Sequence, residues 1–300
     1  MSLAPILLLL MFQTDNSVFS MGNDSFVVRR ADKAVGLLPK SHIDFTLDGH
    51  VRIEQNDQGV VLVSDHMDGV ASQLPDKSYD LASGNAIGNV DFVLDSAAAD
   101  KFNKTPPPPD KLADRLEVKS DKAILASSGG LKSITLPDPF ESTEHRTGVG
   151  KKDGVPYVAD TTLTASSGTF AYLPAVKAKP ATKTAAAQRE IPAKLQTGGF
   201  KGPVHIHTVR TLRPADGPPV VSSYDITCDL VTFDLTKSPG EVVLSGNVLW
   251  KTDGEYVAHG SSDSITFHLD DEQNLLDSTA VGNPGASHII PPAQKSGGKG

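Results

Sequence analysis

The sequence predicts an all-β protein built from repeated antiparallel strands, because its composition, its alternation of residue types and a recurring phrase all favour this class. Glycine and proline account for 26 and 21 of the 300 residues, while aromatic residues make up only 6%, so turns are frequent and long helices are scarce. Between the turns, apolar and polar residues alternate, as at residues 231–235 (VTFDL). We therefore expect strands of five or six residues separated by Gly, Pro and Asp turns.

The recurring phrase is a glycine, any residue, a valine, any residue and a large apolar residue. Its four copies occupy residues 49–53, 88–92, 202–206 and 246–250. Valine and the apolar residue two positions later share one face of a strand, with the glycine at the start of that strand. The copies lie 39, 114 and 44 residues apart, and the long interval leaves room for two weaker copies at Gly130 and Gly168. This spacing predicts a structural repeat with a period of about 40 residues.

Shifts in composition divide the chain into segments. The apolar run at residues 4–12 is too short to span a bilayer but has the length of a signal-peptide core, so it predicts export, with an N-terminal strand or a misassigned start as alternatives. Proline runs favour an extended linker, and Ala, Lys, Pro and Thr without periodicity favour disorder. The expected division is a signal or apolar segment at 1–20, a first β-roll portion at 21–104, a proline-rich linker at 105–110, a second portion at 111–290 with a low-complexity insertion at 174–197, and a disordered tail at 291–300.

Charge and motif content argue against several classes of function. The net charge of −8 is spread along the chain without a basic stripe, so nucleic acid is not an expected partner. The single Cys228 excludes an internal disulfide and a cysteine-based metal site, and is expected to be a packing residue. No nucleophile elbow, phosphate loop, dinucleotide fingerprint or zinc-protease motif occurs, so we expect no enzymatic activity, catalytic residue or cofactor. His205 and His207 share one side of a strand, but no third ligand is evident, which favours a solvated strand face over a metal site.

The apolar positions of the repeats allow two interpretations. They either fill a closed core or line a groove between two sheets that admits acyl chains, because filling and lining residues are of the same types. The alternation places Asp234 and Lys251 in water. The candidate groove residues are Val51, Ile53, Val90, Phe92, Val204, Ile206, Phe233, Val248, Trp250 and Phe267.

Residues 224–284 resemble the OstA-like (LptA-type) β-jellyroll family of lipopolysaccharide transport. The segments that carry the resemblance are YDITCDLVTFD (224–234), LSGNV (244–248), YVAHGSSDSITF (256–267) and AVGNP (280–284). The match is looser over residues 41–94 and 157–173. The chain departs from the family pattern at His259-Gly260, where Ala-Asp is usual.

The resemblance implies an open roll of stacked antiparallel strands in the periplasm or cell envelope, acting in outer-membrane biogenesis. Its implied partners are lipopolysaccharide or a lipid A-like glycolipid, and other β-jellyroll proteins or a second copy that pair through edge strands. Residues 264–269 form a good strand before the break at Gly282-Asn283-Pro284, and are the expected end-pairing strand.

Two rival functions stay open. One is a structural β-solenoid, a surface or scaffold protein without a lipid groove. The other is a glycan-processing enzyme, which would need carboxylate pairs at matched repeat positions. Asp44, Asp91 and Asp234 do not form such a set.

Overall fold

A computed structural model of the chain shows an all-β protein with one short helix. It describes residues 7–10, 19–21, 26–37, 42–74, 77, 79–103, 113–128, 130–149, 154–173, 194–254, 257–270, 275–282 and 285–289. The elements are β1 (Leu7–Leu10), β2 (Phe19–Met21), β3 (Phe26–Arg30), β4 (Lys33–Leu37), β5 (His42–Gln55), β6 (Val60–Gln73), β7 (Tyr79–Asp95), α1 (Ser96–Asn103), β8 (Ala113–Ser128), β9 (Leu131–Leu136), β10 (Phe140–Val149), β11 (Pro156–Ala165), β12 (Ser167–Leu173), β13 (Lys194–Leu212), β14 (Val220–Asp234), β15 (Gly240–Asp253), β16 (Ala258–Leu269), β17 (Leu275–Gly282) and β18 (Gly285–Ile289). Among these residues, no helix has the length and hydrophobicity needed to cross a membrane.

The strands form an antiparallel meander that is folded along one line, which we call the crease. Six long strands change register near their middle, and the shorter strands meet in pairs at the same line. The register shifts lie between Asp48 and Val51, Val63 and His66, Ile87 and Val90, Lys201 and Val204, Thr227 and Leu230, and Ser245 and Val248. One continuous sheet is thereby divided into two facing layers.

The two layers are defined by the strand segments on either side of the crease. Layer I consists mainly of residues 26–30, 51–55, 60–63, 90–95, 113–120, 140–149, 156–165, 204–212, 220–227, 248–253 and 258–262. Layer II consists mainly of residues 33–37, 42–48, 66–73, 79–87, 122–128, 131–136, 167–173, 194–201, 230–234, 240–245, 264–269, 275–282 and 285–289. Their inner faces are in contact, since the ring centroids of Phe26 and Phe45 lie 6.1 Å apart and those of Phe140 and Phe200 lie 5.7 Å apart.

Three of the four glycine phrases bend their strands at the crease through two successive residues with positive φ, whereas Gly202 of the remaining copy has no positive φ. Gly88 and Asn89 have φ values of 76° and 48°, and Gly246 and Asn247 have values of 74° and 49°. Two successive residues in the left-handed region turn the strand sharply, and Gly and Asn are the residues that adopt this conformation most readily. The glycine therefore marks a bend inside a long strand. The expected strands of five or six residues are in fact halves of strands of 14 to 19 residues.

An aspartate on the preceding strand holds each of these bends. The Asn89 Nδ2 donates to Asp65 Oδ2 at 2.7 Å, and the Asn247 Nδ2 donates to Asp229 Oδ2 at 2.8 Å. His50 Nδ1 lies 2.9 Å from Asp32 Oδ2 at the first bend. The weaker copies behave differently: Gly130 lies in the turn between β8 and β9, and Gly168 lies within β12.

In the middle of the chain, both layers close into one circuit. The strands β8, β9, β12, β13, β11 and β10 pair in that order, and β10 returns to β8. The strands on either side of the proline run also pair directly, from Ser83 with Ala126 to Asp95 with Arg115. β13 begins at Lys194, inside the stretch expected to be a low-complexity insertion. Residues 104–112, 174–193 and 290–300 lie outside the described residues.

The C-terminal end differs from the expected arrangement. Residues 264–269 were expected to be the end-pairing strand, but they pair with β15 on one side and with β17 on the other, so they have no free edge. In layer I, residues 258–262 pair only with β15 among the described residues. The C-terminal edges of the described sheet are therefore the first half of β16 in layer I and β18, which pairs with β17, in layer II.

Candidate functional site

The apolar surface between the two layers is the candidate site, and all ten groove candidates belong to it. Seven of them are buried, namely Val51, Ile53, Val90, Phe92, Val204, Phe233 and Val248. Ile206, Trp250 and Phe267 are partly buried and pack against the same core. The predicted outward position of Lys251 is confirmed, because it is exposed, whereas Asp234 is only half-exposed. A lipid contact at these ten positions stays a prediction.

Burial of the inner face depends on the distance from the crease. Next to the crease it is complete at both ends of the molecule, since Leu47 and Val248 have exposed fractions of 0%. Farther from the crease the inner residues are only partly covered, as at Leu94 in the first half and at Trp250 and Phe267 in the last third. The incompletely covered apolar surface thus lies away from the crease.

Three phenylalanines join the layers across the centre of the molecule. The ring of Phe200 lies 5.7 Å from Phe140 and 5.8 Å from Phe233, measured between centroids. Two glycines make this stack possible. A Cβ atom on Gly168 would lie 2.6 Å from Phe200, and one on Gly198 would lie 2.4 Å from Phe233. The stack therefore occupies space that any other residue at these positions would fill.

Trp250 lies over a glycine on the next strand. A Cβ atom on Gly260 would lie 2.7 to 2.8 Å from three atoms of the indole, so the ring lies against this backbone. A larger side chain at position 260 would need the volume that the tryptophan occupies.

A polar cluster bridges the layers on the side away from the crease. The Lys132 ammonium contacts Asp80, Gln55 Nε2 donates to Asp80 Oδ1 at 2.5 Å, and Lys132 Nζ donates to Gln55 Oε1 at 3.5 Å. Gln55 belongs to layer I and the other two residues to layer II. The exposed fractions of Gln55 and Lys132 are only 5% and 8%. Burial, together with the charge of Asp80, raises the pKa of Tyr172 above its ordinary value.

Charged residues also lie on the inner face of layer I, farther from the crease than the apolar rows. Arg146 Nε donates to Asp114 Oδ1 at 3.2 Å and its Nη2 donates to Glu144 Oε1 at 2.8 Å. Burial opposes the charged form, but the two carboxylates raise the pKa of Arg146. The guanidinium of Arg210 lies 4.9 Å from the centroid of the Tyr157 ring.

No protein-family model, curated protein or solved structure matches the chain.

The outer faces carry paired charges. His207 Nδ1 lies 2.6 Å from Asp225 Oδ1, and His205 Nε2 lies 3.7 Å from the same atom. The hydrogen bond from His207 lowers the pKa of Asp225. Across the described ranges, no group of three or more His, Cys, Asp or Glu side chains is arranged to hold a metal ion. Cys228 is buried, and burial raises the pKa of its thiol, as expected of a packing residue.

A cavity of about 620 Å³ lies against layer II. Its lining includes the outward-facing Thr46, Asp68 and Asn85, and none of the ten groove candidates. The Asn85 Nδ2 donates to Asp68 Oδ2 at 3.1 Å, so the polar groups of this lining are partly satisfied by one another.

Several residues of the inner face were not predicted from the sequence. The run at residues 131–136 (LKSITL) alternates, so Lys132 shares a face with Ile134 and Leu136, both of which are buried. This alternation in the sequence was sufficient to predict that Lys132 lies on the inner face. An inward position of Arg210 could be predicted in the same way, since it lies on the face of Val204 and Ile206. The partners Gln55 and Asp80 are remote in sequence and could not be assigned in this way.

Proposed function

We propose that this chain is a non-enzymatic, exported lipid-binding protein of the OstA-like β-jellyroll type. It would hold the acyl chains of lipopolysaccharide, or of a related envelope lipid, between its two layers in the periplasm and pass the lipid on. The observation that carries the proposal is the inner face itself. A continuous apolar surface runs between two layers joined along one crease, and it is only partly covered at Ile226, Trp250 and Phe267.

The energetics favour an acyl ligand at this place. Each methylene group that leaves water contributes about 0.8 kcal/mol, so even a short acyl chain along the half-covered rows gains several kcal/mol. Outside the cluster of Gln55, Asp80 and Lys132, which bridges the layers, the layers can part on the side away from the crease, and a long chain then enters from that side.

Photo-crosslinking tests the proposal with matched neighbours. A photoreactive residue at Phe267, on the inner face, should crosslink to lipopolysaccharide or to its lipid A portion. The same residue at Thr266, which follows the outward parity of the strand, should not. Trp250 and the exposed Lys251 form a second matched pair. Equal labelling at inward and outward positions would contradict lipid binding between the layers.

A structural role is the second candidate, and the packing next to the crease favours it. Val51, Leu47 and Met67 are completely buried, so this part is packed like an ordinary protein core. A scaffold would need only this packing and its edges. A hydrophobic fluorescent dye separates the two functions: displacement of bound dye by lipopolysaccharide supports transport, whereas a protein that binds no dye is a scaffold.

A further inference from the structure

The inner face of layer I carries a polar strip beyond the apolar rows, which we call the mouth strip. It consists of Tyr157, Thr161, Thr208, Arg210 and Tyr224. Thr208 pairs with both Thr161 and Tyr224 across neighbouring strands, and the two threonine hydroxyl groups lie 3.1 Å apart. The row nearer the crease is apolar, with Leu163, Ile206 and Ile226 in register. A polar surface therefore borders an apolar one on the same sheet.

Within the described ranges, the strands of layer II do not extend over the mouth strip. On the layer I side of the crease β10 and β11 each have 10 residues, whereas their continuations β9 and β12 in layer II have 6 and 7. At about 3.3 Å per residue, this difference leaves a strip about 10 Å wide without an opposing strand among the described residues. Exposure agrees with this geometry, since Arg210 is exposed and Tyr224 has an exposed fraction of 42%.

The two arginines of this region, Arg146 and Arg210, differ in whether neighbouring carboxylates neutralise their charge. Arg146 is neutralised by Asp114 and Glu144. Arg210 lies over the face of Tyr157, and it forms no ion pair within the part of the chain that the structure describes. A guanidinium stacked on a ring keeps the N–H groups at its edge free. These groups can donate hydrogen bonds to an anion that lies in the plane of the guanidinium. Among the described residues, the Arg210 guanidinium therefore lies beside an apolar row without a carboxylate partner.

We propose that the mouth strip is the headgroup site and that it selects amphiphiles with an anionic, phosphate-bearing headgroup. Arg210 holds the anion, and the hydroxyl groups of Thr208 and Tyr224 hydrogen-bond to it or to adjoining sugar or glycerol oxygens. The acyl chain then lies along the row of Leu163, Ile206 and Ile226. This inference rests on the proposed function, because it takes binding between the layers as given and assigns the headgroup and the orientation of the lipid.

Two lipids with the same acyl chain and different headgroups test the inference. Lysophosphatidic acid is anionic and monoacylglycerol is neutral, and the affinity of each is measured by displacement of a hydrophobic dye at moderate ionic strength. Since a hydrogen bond to a charged group contributes about 1.5–3 kcal/mol, we expect the wild type to prefer lysophosphatidic acid by about tenfold or more. Arg210→Gln should abolish this preference, because it lowers the affinity for lysophosphatidic acid to that for monoacylglycerol. Lys251→Gln removes the same charge from an exposed outward position of layer I and should retain the preference.

The outcomes separate the two proposals. Equal affinity of the wild type for both lipids, or a preference that survives in Arg210→Gln, would overturn the headgroup site and leave lipid binding in place. If neither lipid displaces the dye, the proposed function fails and the headgroup site fails with it.

Discussion

At the scale of single residues, the crease depends on glycines that no other residue can replace. Gly88 has a φ of 76°, and a Cβ atom there would lie 2.5 Å from Asp65 Oδ2, the oxygen that Asn89 binds. Backbone strain therefore coincides at one position with a steric clash against the Asp65–Asn89 hydrogen bond. We call this bond the aspartate clasp. The same combination occurs at Gly246, where a Cβ atom would lie 2.5 Å from Asp229 Oδ2.

We expect Gly88→Ala to destabilise the protein by about 2 kcal/mol or more, because a positive φ alone costs about 1–3 kcal/mol and the displaced aspartate adds to it. The measurement is the free energy of unfolding in urea. Gly130→Ala is the matched control, since its φ is 82° but nothing lies within 4 Å of the added Cβ. Equal losses for the two variants would mean that the aspartate clasp contributes nothing.

At the scale of strands, the cluster of Gln55, Asp80 and Lys132 ties the two layers together opposite the crease. Removal of one partner leaves the other charge buried and uncompensated, which is far more costly than the loss of an exposed ion pair. The side chains of Lys132 and Asp80 are only 10% and 17% exposed.

Lys132→Ala should therefore destabilise the protein by about 3–5 kcal/mol. The double variant Lys132→Met with Asp80→Leu should recover much of that loss, since it removes both charges. Lys119→Ala serves as the control, because Lys119 pairs with Glu117 at an exposed site and its loss should destabilise the protein far less. Additive losses in the double variant, measured by urea unfolding, would show that the pair does not interact.

Strand parity was predictable from the sequence, whereas strand length was not. The alternation correctly placed Val51, Val90, Val204 and Val248 inside, because period two fixes the face of each residue. The glycine phrase was taken as the start of a strand, since a glycine in a sequence does not reveal that the next residue also has a positive φ. The bend depends on Asp65 or Asp229 on the neighbouring strand, and such a contact is visible only once the strands are paired.

At the scale of the whole molecule, residues 258–262 form the C-terminal edge of layer I within the described ranges. These residues pair with β15, and their other side bears the unpaired backbone groups typical of an edge strand. End-to-end association with a second copy or with another β-jellyroll protein remains a prediction, and this segment is one of the edges open to it.

Ser261→Pro should weaken such association, because proline removes a backbone donor from the edge. Sedimentation velocity at increasing protein concentration measures the effect. Ala215→Pro, in the loop between β13 and β14, is a control that leaves the edge intact. A wild-type protein that stays monomeric at every concentration would contradict self-association.

The crease determines in which steps the length of such a molecule can change. A bend of the kind formed by Asp65 and Gly88, or by Asp229 and Gly246, needs two strands, one that supplies the aspartate and one that supplies the glycine. Duplication or loss of such a two-strand unit retains these contacts and alters the length along the stacking axis by about 9–10 Å per unit. The length of the molecule along the stacking axis is therefore proportional to the number of two-strand units that the gene encodes.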